Sequence, residues 1–115
     1  MQRGDIWLVD LDRAGGSEAG KRRPAVIVGN EGANAAAARL GRGVVTVVPV
    51  TSNVARRYPF QVLLPAAESG IARNSKAQAE QVRSVAVERL RERIGRLPAP
   101  LLAQVDEALR LHLAL

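Results

Sequence analysis

Short apolar runs alternate with glycine- and cation-rich breaks over most of the chain, and a longer helical stripe closes it. Gly4–Leu11 (GDIWLVDL) is bounded by DRAGGSEAG, which predicts a first strand and a glycine-rich loop. Pro24–Asn30 (PAVIVGN) predicts a second strand, and its unbroken hydrophobicity implies cover on both faces. A proline at the start of that strand removes no mid-ladder donor. The segment EGANAAAARLG predicts a short alanine-rich helix, with Asn30 as N-cap and Gly41 as stop. Val44–Val50 (VVTVVPV) predicts a third strand, with Pro49 marking a bulge or an edge at that end.

A polar, basic loop (TSNVARRYP) leads to a fourth strand, FQVLL, and PAAESGIARN reads as another loop. Ser75–Val87 (SKAQAEQVRSVAV) also suits a helix by propensity, but period two makes it a strand with Ala77, Ala79, Gln81 and Arg83 on one face. ERLRERIGRLP reads as a turn and a short strand around Ile94. In the last segment Leu101, Leu102, Val105, Ala108, Leu109 and His112 follow helical spacing, and Pro100 suits a first turn. Strands first and a helix last predict an α+β, mainly antiparallel β fold with the C-terminal helix packed on the sheet.

The 115 residues suit one domain, 1–115, with no linker or repeat. Aromatic residues are 3%, so the core must be aliphatic and base-stacking platforms are limited to Trp7, Tyr58 and Phe60. The formal net charge of +6 favours a polyanionic partner: nucleic acid, an acidic chain or an anionic membrane. No run of about 18 apolar residues is present, and the opening MQRGDIWLVDLD lacks the apolar core of a signal peptide. A cytoplasmic protein without a membrane partner is expected. With no cysteine and a single histidine, His112, disulfides are excluded and neither a zinc site nor any other cofactor is expected.

The run Lys21-Arg22-Arg23 enters the second strand through Pro24. On the residues alone such a run is better read as solvated surface. The proline nevertheless separates its third member, because it holds the preceding residue extended. Lys21 and Arg22 are then left in the loop, as non-specific attraction for phosphate. Arg56, Arg57 and Tyr58 set cations beside an aromatic, a combination that suits splayed single-stranded bases. Trp7 is better read as core or interface, and His112 as a partner for the C-terminal helix dipole.

Four segments in order resemble the MazF/PemK (Kid) toxins of type II toxin–antitoxin modules: RGDIWLVDLD (3–12), GSEAGKRRPAVIV (16–28), VVPVTSN (47–53) and AEQVRSV (79–85). The resemblance covers nearly the whole chain. It departs at Lys76, where the family usually has an apolar residue. It implies a small, strongly bent antiparallel sheet or partly open barrel of the plasmid-maintenance toxin type. It implies a homodimer and an acidic MazE-like antitoxin, with DNA met only through that antitoxin. The implied activity is a metal-independent, sequence-specific endoribonuclease that inhibits translation and growth. Its substrate would be single-stranded RNA, messenger RNA first, with ribosomal and transfer RNA as alternatives.

Such cleavage uses the substrate's 2′-hydroxyl as nucleophile and leaves a 2′,3′-cyclic phosphate and a 5′-hydroxyl. It needs a proton acceptor, stabilised phosphoryl charge and a protonated leaving oxygen. The resemblance makes Arg23 and Thr51 the catalytic candidates. A guanidinium fork fits two phosphate oxygens but is a poor base, so Glu18 and Glu80 are the proton-transfer candidates, each also readable as a surface charge. Ser17, Lys21, Arg22, Ser52, Arg56, Arg57, Tyr58, Gln81 and Arg83 complete the expected RNA contacts. A DNA gyrase poison of the related CcdB type is the alternative, weakened because that type acts through a C-terminal Trp-Gly-Ile and this sequence ends LHLAL. A non-catalytic RNA- or antitoxin-binding module is the other.

Overall fold

A strand that changes partners halfway along its length organises this molecule. The computed structural model describes residues 1–11 and 22–115, and all statements below concern those residues. Strand β3 (Val44–Thr51) pairs on one side with β2 (Arg22–Ile27), which pairs in turn with β1 (Asp5–Asp10), and β1 with β7 (Leu90–Arg96). On its other side β3 pairs first with β6 (Arg83–Ala86) and then with β5 (Ser75–Gln78), which carries β4 (Gln61–Leu64) at the margin. Every pairing is antiparallel. The result is an open, seven-stranded antiparallel sheet with short helices and a C-terminal helix, in line with the expected mainly antiparallel α+β fold.

The unbroken apolar second strand does bury both faces. Val26 and Val28 join Ile6, Val48, Val50 and Leu64 in a core on one face, closed by Leu101, Val105 and Ala108 of the C-terminal helix α3 (Ala99–Leu113). Ala25 and Ile27 join Val9, Val45, Val47 and Val85 on the other, with Ala37 of helix α1 (Glu31–Leu40). The predicted caps of α1 are present. The Asn30 side chain accepts the Ala33 N–H at 2.8 Å, and Gly41 closes the helix at φ 67°, where only glycine is unstrained. Arg3 locks α3 in place, donating to both Asp106 carboxylate oxygens and to the Val28 carbonyl. His112 is exposed in the last turn, with its ring tilted against Phe60.

Five expectations change. Ser75–Val87 is two strands, not one, split by a 3₁₀ turn at Ala79–Gln81. The reason lies in β3. Val50 pairs with Ala77 and Val47 with Arg83, so three steps along β3 face six along its neighbour, and the turn absorbs the surplus. Pro49 sits at this hand-over and is paired with Ala25 in the sheet interior, not at an edge. PAAESGIARN contains a one-turn helix α2 (Ala66–Ser69), and the strand around Ile94 spans seven residues. Finally, Arg22 belongs to β2 rather than to the preceding loop.

Candidate functional site

Arg23 and Pro24 lie near the start of β2, where both arginines are exposed and the strand is not yet buried. The β2–β3 register sets Ala25 against Pro49. Continued by two residues on each strand, it places Arg23 opposite Thr51. Alternation then puts both side chains on one face of the sheet. Both line a cavity of about 700 Å³ together with Arg22, Ser52 and Arg73, over an apolar floor that includes Ile71 and Ile94. Three arginines and three hydroxyl residues, Thr51, Ser52 and Ser75, thus line one cavity. That is a donor set for an oxyanion, and above all for a phosphodiester.

The Thr51 hydroxyl has a defined role in the local backbone. Its Oγ1 accepts the N–H of Asn53 at 3.2 Å, a turn that engages a lone pair and leaves the O–H proton free to donate elsewhere. Arg22 is not a loose lure, because its Nε lies 3.4 Å from Asp10 Oδ1. Asp10 also receives Arg91, whose hydrogen bond holds its carboxyl below the ordinary value of 3.8, aided by the positive charge of Arg22. Among the described residues Arg22 is therefore partly neutralised, and no carboxylate pairs with Arg23. Arg73 was not singled out in the sequence. It lies in a polar loop with no pattern of its own, and only the packing of that loop against β7 brings it to the cavity.

Gln81 and Arg83 no longer share a strand, since the former is in the 3₁₀ turn and the latter in β6. They nevertheless line one hollow of about 300 Å³ with Gln78, Pro49 and Arg23. Arg23 thus stands between two depressions, the larger holding Thr51 and Ser52, the smaller holding Gln81 and Arg83. Glu80 lines neither; its Oε2 accepts from Gln61 Nε2 at 2.7 Å. Trp7 is half-buried against the second core with Met1, Val87 and Leu90. Ser17, Glu18 and Lys21 lie outside the described residues.

The basic loop occupies different ground. Arg57 and Tyr58 line a groove of about 780 Å³ along α3 with Gln104 and Leu111. Tyr58 stacks parallel on Phe60 at 5.6 Å, and Arg56 donates to its hydroxyl at 3.0 Å. Tyr58 is 42% exposed, and the Arg56 guanidinium carbon lies 6.0 Å from its ring centroid. The stack is a preformed aromatic platform with a guanidinium at its edge. No helix of the described residues is long and apolar enough to cross a membrane.

Residues 2–113 match the family described as PemK-like, MazF-like toxin of type II toxin–antitoxin system. The chain is 65% identical over its whole length to Endoribonuclease MazF9 of Mycobacterium tuberculosis, covering 98% of that protein. It is 32% identical, again over its whole length, to Endoribonuclease EndoA of Bacillus subtilis, covering 96% of it. Among solved structures it resembles the MazE–MazF complex of Deinococcus radiodurans with a TM-score of 0.72 and 30% identity, over 100% of this chain and 96% of that one.

Proposed function

The chain belongs to the PemK/MazF toxin family of type II toxin–antitoxin systems, and from that premise we propose that it cuts single-stranded RNA at the cavity shared by Arg23 and Thr51. The observation that carries this reading is that those two residues, opposite one another on adjacent strands, both line one arginine-rich cavity. It is supported by the relatives named endoribonucleases. Arg23 presents its planar fork to two non-bridging oxygens of the scissile phosphate. Thr51 donates its hydroxyl proton to the same group. Charge grows on these oxygens as the 2′-hydroxyl attacks phosphorus, so both contacts strengthen in the transition state, the requirement for catalysis.

The reaction so described needs no group beyond the chain, its substrate and water. The 2′-oxygen gives up its proton and bonds to phosphorus, the bond to the 5′-oxygen breaks, and that oxygen takes a proton from water, leaving a 2′,3′-cyclic phosphate and a 5′-hydroxyl. Of the two carboxylates considered for the 2′-hydroxyl proton, Glu80 is held by Gln61 away from the cavity, which leaves Glu18. Gln81 and Arg83 receive the chain on the far side of Arg23, and the Tyr58 platform receives a splayed base. The partners in this reading are single-stranded RNA, a second copy of the chain, and an acidic antitoxin that competes for the cationic face.

Incubation with a long single-stranded RNA in excess chelator tests the proposal. Discrete cuts with cyclic-phosphate ends are expected, and a single 2′-deoxy nucleotide at the cut should abolish cleavage there. Cutting at the deoxy position, a requirement for added metal, or no cutting at all would each overturn it.

A further inference from the structure

Lys76 is 7% exposed, a burial that lysine rarely shows without a partner to its charge. It stands in β5, opposite Thr51 on one side and Leu63 on the other. Residues directly opposite in an antiparallel pair point to the same face. A row therefore crosses the sheet from Arg23 through Thr51 to Lys76, and Lys76 is the next side chain beyond the cutting site. Its ammonium donates to the backbone carbonyl of Arg56. That carbonyl belongs to the loop that follows Thr51 and carries Arg56, Arg57 and Tyr58.

Two further contacts bind the same loop to the same stretch of chain. The Gln61 side chain accepts the Tyr58 N–H at 3.1 Å, and its amide nitrogen donates to Glu80. The loop is thus fastened at Arg56 by Lys76 and at Tyr58 by Gln61 and Glu80. A buried lysine held by a neutral carbonyl is a poor device for stability, since an apolar residue of similar size packs there without desolvating a charge. What the ammonium does supply is a fixed distance between Thr51 and the aromatic platform.

We propose that Lys76 is a positioning residue for base recognition: by holding the Arg56 carbonyl beside Thr51, it sets the register between the scissile phosphate and the base received at Tyr58. The inference rests on the endoribonuclease reading above. The phosphate is gripped by Arg23 and Thr51 whether or not the loop is fastened. Loosening the loop therefore weakens binding of the correct sequence without slowing the chemical step. That is loss of uniform binding, which raises KM and leaves kcat in place.

The test uses the full chain and two short single-stranded RNAs, one carrying a mapped cleavage site and one with a base beside the cut exchanged. Lys76→Met keeps the stem and removes the donor. It should melt no lower than wild type, cut with kcat within about twofold, and show KM on the mapped site raised about tenfold, the size of one lost base contact. Its preference for the mapped site over the exchanged one should fall by about the same factor. Lys76→Arg, which keeps a charged donor, should recover the preference. If the methionine variant does not fold, Lys76→Leu, which also lacks a donor, is to be read in the same way. An unchanged preference, or an equal loss on both RNAs carried by kcat, would refute the assignment of Lys76 alone. Failure of the wild type to cut either RNA removes the endoribonuclease reading and this inference with it.

Discussion

Arg23 and Thr51 face one another just past the point where the β2–β3 ladder ends. Ala25 and Pro49 form the last pair, two residues further on each strand stand Arg23 and Thr51, and both residues line the same cavity. In the proposed reaction this guanidinium and this hydroxyl hold one phosphate jointly. Arg23→Ala should lower kcat/KM for RNA cleavage about 10²- to 10³-fold, as loss of an oxyanion donor does. Thr51→Ala should cost about 10- to 100-fold, as for a hydrogen bond to a charged group, and Thr51→Ser should cost little. Because the two act on one group, the double variant should lose less than the product of the two factors. Cleavage of a single-site RNA under kcat/KM conditions measures all four.

The pairing of these residues was legible only in part. Pro24 marked Arg23 by backbone logic, and the PVTS motif marked Thr51 by resemblance, but their opposition follows from a register that no local pattern carries. Elements whose signals are local came through: the Asn30 and Gly41 caps, the aliphatic strands, the amphipathic C-terminal helix. The elements lost were set by tertiary geometry. The 3₁₀ turn at Ala79–Gln81 exists because β3 passes from one neighbour to another around Pro49, and period two in SKAQAEQVRSVAV hid it. Lys76 was noticed as a departure from the family pattern. Its tie to Arg56, twenty residues earlier, was invisible until the loop had a place. Arg73 gave no signal at all.

The cap of α1 provides a stability change separable from activity. Asn30 is exposed, lies outside the cavity, and satisfies the Ala33 N–H. Asn30→Ala should destabilise the protein by about 1 kcal/mol, lowering Tm by a few degrees, with RNA cleavage at low temperature unchanged. Thermal melts paired with a cleavage assay check both halves.

Gly95 couples the cavity floor to its rim. A Cβ there would overlap the Ser69 carbonyl oxygen, a backbone atom at the end of α2 that cannot rotate away. Gly95→Ala must therefore push β7 from α2, which we expect to cost about 1–3 kcal/mol as overpacking does. Ile94 on one side of that contact and Ile71 and Arg73 just beyond the other all line the cavity. Cleavage by the folded fraction should fall as well, in contrast to the Asn30 variant. A full-strength enzyme with a lowered Tm would show that the rim does not depend on this contact.

Asp10 gives the acid end of the stability profile a named source. Its carboxylate receives Arg91 and lies beside Arg22, and these partners hold its pKa below the ordinary 3.8. A carboxyl depressed in the folded state stabilises that state above its unfolded pKa, and the contribution disappears as pH falls through the lower folded value. Asp10→Asn should therefore melt below wild type at neutral pH, and the gap should close progressively in acid, below about pH 4. High salt at neutral pH should narrow the same gap, because the arginines involved are about half exposed and screened by ions. Melting curves of both proteins from pH 7 to about 2.5, repeated at low and high ionic strength, decide the matter. A gap that stays constant through the acid range would mean that Asp10 acts through packing or hydrogen bonding to its neutral form, and not through the charge it shares with Arg22 and Arg91.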